Sequence, residues 1–165
     1  MPGTAETSIG IVRGHARRTA CPRVPDPELA WYLPQPLGAP TRGIDAIRPV
    51  DPTLVSPFLE TLADQGCSVR VAVGSGAVLQ THDTDFYAFS CRDGRLRLSG
   101  STARLVLAHD QLGGAEILTT RRAGQACHGI RLSDDRQRTV AMLCPSEAAN
   151  ADPVLWDTLI SALAG

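Results

Sequence analysis

Proline placement constrains this chain more than any other feature. Ten of its 12 prolines fall at or before Pro57, and none lies between Pro57 and Pro145. Proline lacks the amide donor that β-ladders and helix interiors both need. Residues 1–50 are therefore expected to form an irregular, Pro-rich arm with short elements only. A strand at Ser8–Val12 is one such element, and a helical turn opening at Asp26-Pro27 and cut off by Pro34 is another. Residues 51–165 remain as the folding domain, and a chain of this length can bury a real core without staples.

Within that domain the hydrophobic period changes twice. Asp51-Pro52 opens a helix, since Asp caps free amides and Pro is tolerated at the first helical position. Leu54, Val55, Phe58, Leu59 and Leu62 then recur at helical spacing. Pro57 predicts a late start or a kink, and Gly66 a stop. From Ser68 to Cys144 the period is two. Strand-like runs are Ser68–Val73, Ala77–Thr81, Phe86–Cys91, Arg95–Leu98, Ala103–Leu107, Ala115–Thr120, His128–Leu132 and Arg138–Leu143. Gly74-Ser75-Gly76, His82–Asp85, Asp93-Gly94, Gly113-Gly114, Ala123-Gly124 and Asp134-Asp135 read as the turns between them. Strands so closely spaced leave no room for crossover helices, so the sheet is antiparallel. Asp152-Pro153 repeats the helix-start signature before Leu155, Trp156, Leu159, Ile160 and Leu163. The fold class is α+β, a large antiparallel sheet of seven or eight strands with flanking helices.

Bulk chemistry excludes several classes. The net charge of −1 offers no electrostatic reason to expect nucleic acid or an anionic membrane. No apolar run approaches the ~20 residues of a membrane span, and Met1–Arg13 does not read as a signal peptide. The sixteen cationic side chains are all Arg. That reads first as composition bias and second as a preference for gripping carboxylates. Five cysteines with no CxxC pair argue against a disulfide framework and a structural zinc site, and for a reducing cytoplasm.

No enzyme motif is complete. Gly74-Ser75-Gly76 lacks the glycines two residues either side of the serine that a nucleophile elbow needs. It also lacks the third glycine and following helix of a dinucleotide fingerprint. The carboxylate pairs Asp83/Asp85 and Asp134/Asp135 read as turn residues bonding their own backbone.

One ordered set of segments points further. Val71–His82 reads V-A-V-G-S-G-A-V-L-Q-T-H, and is similar to the V-F-V-G-N-P-G-C-I-Q-I-H segment of the HemS/ChuX-type haem-utilisation family. Val71, Val73, Gly74, Gln80 and His82 match it without a gap. The preceding helix has Val55 and Phe58 in register with the family's T-D-V-H-Q-F-F helix. Leu105–Leu112 is similar to L-H-L-R-E-D-A-I, Ala115–Leu118 to A-W-V-V, and Trp156 falls where the family closes with a Trp-bearing helix. The resemblance covers about residues 50–165. It implies a HemS/ChuX-like single repeat, cytoplasmic haem binding, storage or transfer, and pairing as a homodimer. Some members degrade haem, which needs an external electron source. The family's iron-ligand positions hold Ser56, Gly74 and Val106 here, its following Arg is Ala108, and its Trp is Glu116. A non-haem small-ligand or protein-interaction module on the same fold is the alternative that these departures favour.

Haem iron needs a donor such as His, Cys, Met or Tyr. His82 and His109 are the candidate replacement ligands, each next to an Asp that can orient its ring; each also reads as an exposed turn residue. His128 at a strand start and His15 in the arm rank lower. Haem also carries two propionates. Arg95 and Arg97 share one strand face and Arg104 lies near them, so they are the candidate propionate partners, or else an ordinary solvated face. Phe86 and Tyr87 could supply an apolar wall, but with aromatic content of only 4% they read first as core packing. The candidate site binds haem in a cleft between sheet and helix.

Overall fold

The computed structural model describes residues 44–75, 78–122, 124–148 and 150–165. The strand expected at Ser8–Val12, the turn at Asp26-Pro27, and His15 lie outside those residues. Eight strands form one antiparallel sheet: β1 Ala46–Val50, β2 Ser68–Ser75, β3 Val78–Arg92, β4 Arg95–Gly100, β5 Arg104–Ala108, β6 Leu112–Arg122, β7 Gln125–Asp134 and β8 Thr139–Pro145. Their spatial order is β1-β6-β7-β8-β2-β3-β4-β5. Helix α1 spans Val55–Asp64 and helix α2 spans Pro153–Ala164.

Both helices begin as their caps dictate. The Asp51 carboxylate accepts from the Thr53 amide at 2.9 Å and its hydroxyl at 2.8 Å. A single 3-10 turn, Pro52–Leu54, then leads into α1, so the α-helix does start late. Val55, Phe58, Leu59, Leu62 and Ala63 are buried along one face, and Gly66 (φ +60°) follows the last turn. Asp152 accepts from the amides of Val154 and Leu155, both at 3.0 Å. Trp156 packs edge-on against Phe58, with ring centroids 6.3 Å apart, and donates its indole N–H to the His128 carbonyl at 2.9 Å. These contacts bind α2 to α1 and to β7.

The sheet departs from the expected pattern in three places. Ala46–Val50, which falls in the expected irregular arm, is an edge strand paired to β6; Pro49 is tolerated there because one side of an edge strand has no partner. Gly113-Gly114 lies within β6 at an irregularity of register. A Cβ on Gly113 would collide with the Asp134 backbone, so the glycine serves close approach and not a turn. Most consequentially, His82–Asp85 is not a turn. Val78–Arg92 is one 15-residue strand. Asp83 faces Arg70 directly across the ladder, and the guanidinium donates to both carboxylate oxygens at 3.2 and 3.0 Å. Cross-strand pairing has outcompeted the local Asx-turn. Asp134 is the turn residue expected, accepting from the Arg136 and Arg138 amides at 2.9 and 2.8 Å. Asp93-Gly94 closes the β3–β4 hairpin with positive φ at both residues.

The helices cover one face of the sheet. The main core lies between the layers and includes Leu59, Leu62, Val69, Phe86, Leu96, Leu98, Leu132, Leu143 and Trp156. The far face carries a small apolar cluster of Ala72, Leu118 and Met142, with Ile44 and Leu79 against it. Beside it runs a charged ladder in which Arg131 donates to Glu116 at 2.8 Å through Nε. Among the described residues no helix is long and apolar enough to cross a membrane.

Candidate functional site

Where the helices lie on the sheet, core side chains occupy the space of the expected cleft. That space is filled: Leu59, Leu62, Leu96 and Leu98 have no exposed surface. A cavity of about 190 Å³ instead lies between the two helices, lined by Leu54, Pro57, Phe58, Thr61, Leu159, Ala162 and Leu163. It is below the ~300 Å³ at which small-molecule pockets begin, and it contains one hydroxyl and no ionisable group. The described residues also hold no cluster of three or more His, Cys, Asp or Glu that could bind a metal ion.

The arginines lie elsewhere, on the far face of the β3–β4–β5 end. Leu96 pairs with Cys91 and Leu107, and Leu98 with Phe89 and Leu105. Leu96, Leu98, Leu105 and Leu107 belong to the core, so the alternate residues point outward by the period of two. The outward residues form three rows across the strands: Arg92–Arg95–Ala108, Ser90–Arg97–Val106 and Ala88–Ser99–Arg104. Four of nine positions are Arg and none is acidic. Among the described residues, no ion pair or side-chain hydrogen bond involves Arg92, Arg95, Arg97 or Arg104. Like charges directly opposite, as Arg92 and Arg95 are, destabilise a sheet unless something neutralises them. The three rows thus concentrate positive charge on one face of the sheet. Val106, 47% exposed, gives it an apolar patch.

The sequence-derived grouping of Arg95 with Arg97 and Arg104 is thus the real geometry. Arg92 was missed, although the two-residue Asp93-Gly94 turn fixes it opposite Arg95. The histidines are scattered. His82 pairs with Val71, a core residue, so it belongs to the helix-bearing face. It is also ten positions from Arg92 along β3, on the order of 30 Å at ~3.3 Å per residue. His109 sits in a 3-10 turn just past β5, with its amide on the Gly94 carbonyl at 2.8 Å. His82 and His109 therefore cannot serve one iron. His128 is on the helix-bearing side, its Nδ1 3.0 Å from the Thr119 hydroxyl.

Phe86 is fully buried as expected, but Tyr87 is not core: it is 65% exposed. The register of β3 against β4 slips between Phe86 and Ala88. Tyr87 is the residue left over by this bulge, and bulges re-aim side chains in this way. Gly100 holds the bulge tight, since a Cβ there would drive into the Thr84 hydroxyl. Alternation from buried Phe86 already turns Tyr87 outward; the slip, which only the β3–β4 pairing shows, is what sets it on the same face as Ala88, Ser90 and Arg92.

Comparisons with known proteins bear on the fold. No family model matches the sequence, and no curated protein matches it significantly. Solved structures do match. PhuS, a heme-binding protein from Pseudomonas aeruginosa, aligns at a TM-score of 0.64 with 14% identity, over 71% of this chain and 34% of PhuS. ChuS, an E. coli heme oxygenase, aligns at 0.65 with 17% identity, over 73% of this chain and 37% of ChuS. The heme-binding protein ChuX aligns at 0.60 with 11% identity, over 72% of this chain and 76% of ChuX. This chain spans about a third of the aligned PhuS and ChuS chains. At these identities the likeness concerns the backbone: this α+β chain has the fold of the HemS/ChuX-type haem-utilisation proteins.

Proposed function

We propose that this protein binds haem or a related tetrapyrrole on the outward face of β3–β5, for storage or transfer. The observation that carries this reading is the acid-free arginine face on a fold shared with haem-binding proteins. Haem needs counter-charges for two carboxylates and a donor for iron. Arg95 and Arg97, with Arg92 and Arg104 beside them, suit the first need, and Val106 gives the macrocycle an apolar contact. For the second, the positions matching the family's ligands hold Ser56, Gly74 and Val106, none of them an iron donor. Among the described residues His109 is the histidine nearest this face, while His82 would need a separate site on the other one. The reading includes a cytoplasmic homodimer, as the single-repeat resemblance implies. Oxidative degradation of haem would require a reductant in addition.

The test is a haemin titration followed by absorbance. Saturation near one haem per chain is expected, and Arg95→Ala or Arg97→Ala should each weaken binding about tenfold, the worth of one charge-assisted hydrogen bond. A titration indistinguishable from free haemin would sink the reading. The second reading, a binding module for a different anionic ligand on the same face, is favoured by the lost ligand positions. It would then be pursued by screening carboxylates and phosphates against the arginine variants.

A further inference from the structure

We infer that Tyr87 is the iron ligand of this site; the inference rests on the haem reading above. The three rows that Tyr87 adjoins hold only Arg, Ser, Ala and Val, and the next outward residues of β3 before it are Asp85 and Asp83, both engaged by side chains of neighbouring segments. None of these is a haem-iron donor, whereas a tyrosine oxygen is one. Cys91 pairs with Leu96 and so belongs to the core-facing set of the ladder. Alternation from inward Phe86 turns Tyr87 outward, and its 65% exposure agrees.

Spacing favours Tyr87 over His109. A porphyrin carries its carboxylates at the rim and its iron at the centre, so the ligand must stand away from the arginines that hold the rim. His109 directly follows Ala108, the cross-strand partner of Arg95, and therefore abuts the Arg92–Arg95 row. Tyr87 adjoins the Ala88–Ser99–Arg104 row at the opposite end. Tyr87 precedes Ser90 by three residues and Arg92 by five, so at ~3.3 Å per residue it stands roughly 10 Å from the Arg97 row and 17 Å from the Arg95 row. Val106 lies in the row between. On binding, Tyr87 Oη releases its proton to solvent and takes the iron position that water or hydroxide held.

The experiment titrates ferric haemin into the full chain and into Tyr87→Phe, His82→Ala and His109→Ala, reading the absorption spectrum and resonance Raman. The unaltered chain should show a phenolate-to-iron charge-transfer band and phenolate vibrational modes. Both should vanish in Tyr87→Phe and persist in the two histidine variants. Tyr87→His should bind with a histidine-type spectrum, which separates loss of the ligand from loss of the fold. Saturable binding with a spectrum unchanged in Tyr87→Phe overturns the ligand assignment alone. No saturable binding to the unaltered chain overturns the haem reading and the assignment with it.

Discussion

Cys67 and Cys91 differ in chemistry although nothing in their local sequence separates them. Cys67 is buried where α1 turns into β2, and burial pushes its thiol up to about 11, with the nearby Asp152 and Asp85 carboxylates adding to the effect. Cys91 is exposed on β3. Because the thiolate is the reactive form, maleimide at neutral pH should modify Cys91 in the folded protein and Cys67 only after unfolding. Peptide mapping by mass spectrometry reads this directly, and labelling of native Cys67 at the rate of Cys91 would contradict it. The same logic explains which single residues were legible. Arg95, Arg97, Leu96 and Leu98 followed from alternation alone, because strand period is a local property. The placing of Tyr87 on the same face as Arg92 did not, because it depends on a register slip against β4.

At the scale of elements, capping was the most informative signal. Asp51-Pro52 and Asp152-Pro153 each start a helical segment, and both carboxylates accept backbone amides at the expected positions. Asp152→Ala should cost about 1 kcal/mol, the usual worth of such a cap, measured as a shift in the urea midpoint at constant slope. No shift would mean that the Trp156 contacts hold α2 alone. Strand boundaries were less legible wherever side chains found distant partners. His82–Asp85 has the composition of a turn, yet Asp83 pairs with Arg70 and Asp85 accepts from Ser68 across the ladder, and β3 runs straight through. Gly113 was misread for the opposite reason: its glycine answers a steric demand from β7 that only the paired sheet creates.

The Arg70–Asp83 pair also matters to the whole molecule. Asp83 accepts from Arg70 on β2 and, at 2.9 Å, from Ser146 in the segment that leads to α2. The Arg70 hydrogen bonds, supported by the Ser146 hydroxyl, hold its carboxyl below the usual carboxylate range. A depressed folded-state pKa contributes stability that is complete above the unfolded value of ~3.9 and is lost as pH falls through the lower folded value. Asp83→Asn should therefore lower stability at neutral pH by less than about 1 kcal/mol, since the pair is partly exposed. It should also flatten the loss of stability below about pH 4, as followed by urea melts. Parallel pH curves for the two proteins would contradict this. What the sequence by itself determined was the α+β class, both helices with their starts, the Asp93-Gly94 hairpin and the sharing of one face by Arg95 and Arg97. All of these rest on caps, turns and period, which act over a few residues. Only the tertiary structure decided the strand order, with β8 against β2 and β1 at one edge, the filling of the sheet–helix layer, the separation of His82 from His109, and the place of Tyr87 beside the arginines. Those depend on which distant strands pair and in what register, and long-range pairing is fixed by burial and packing across the whole chain.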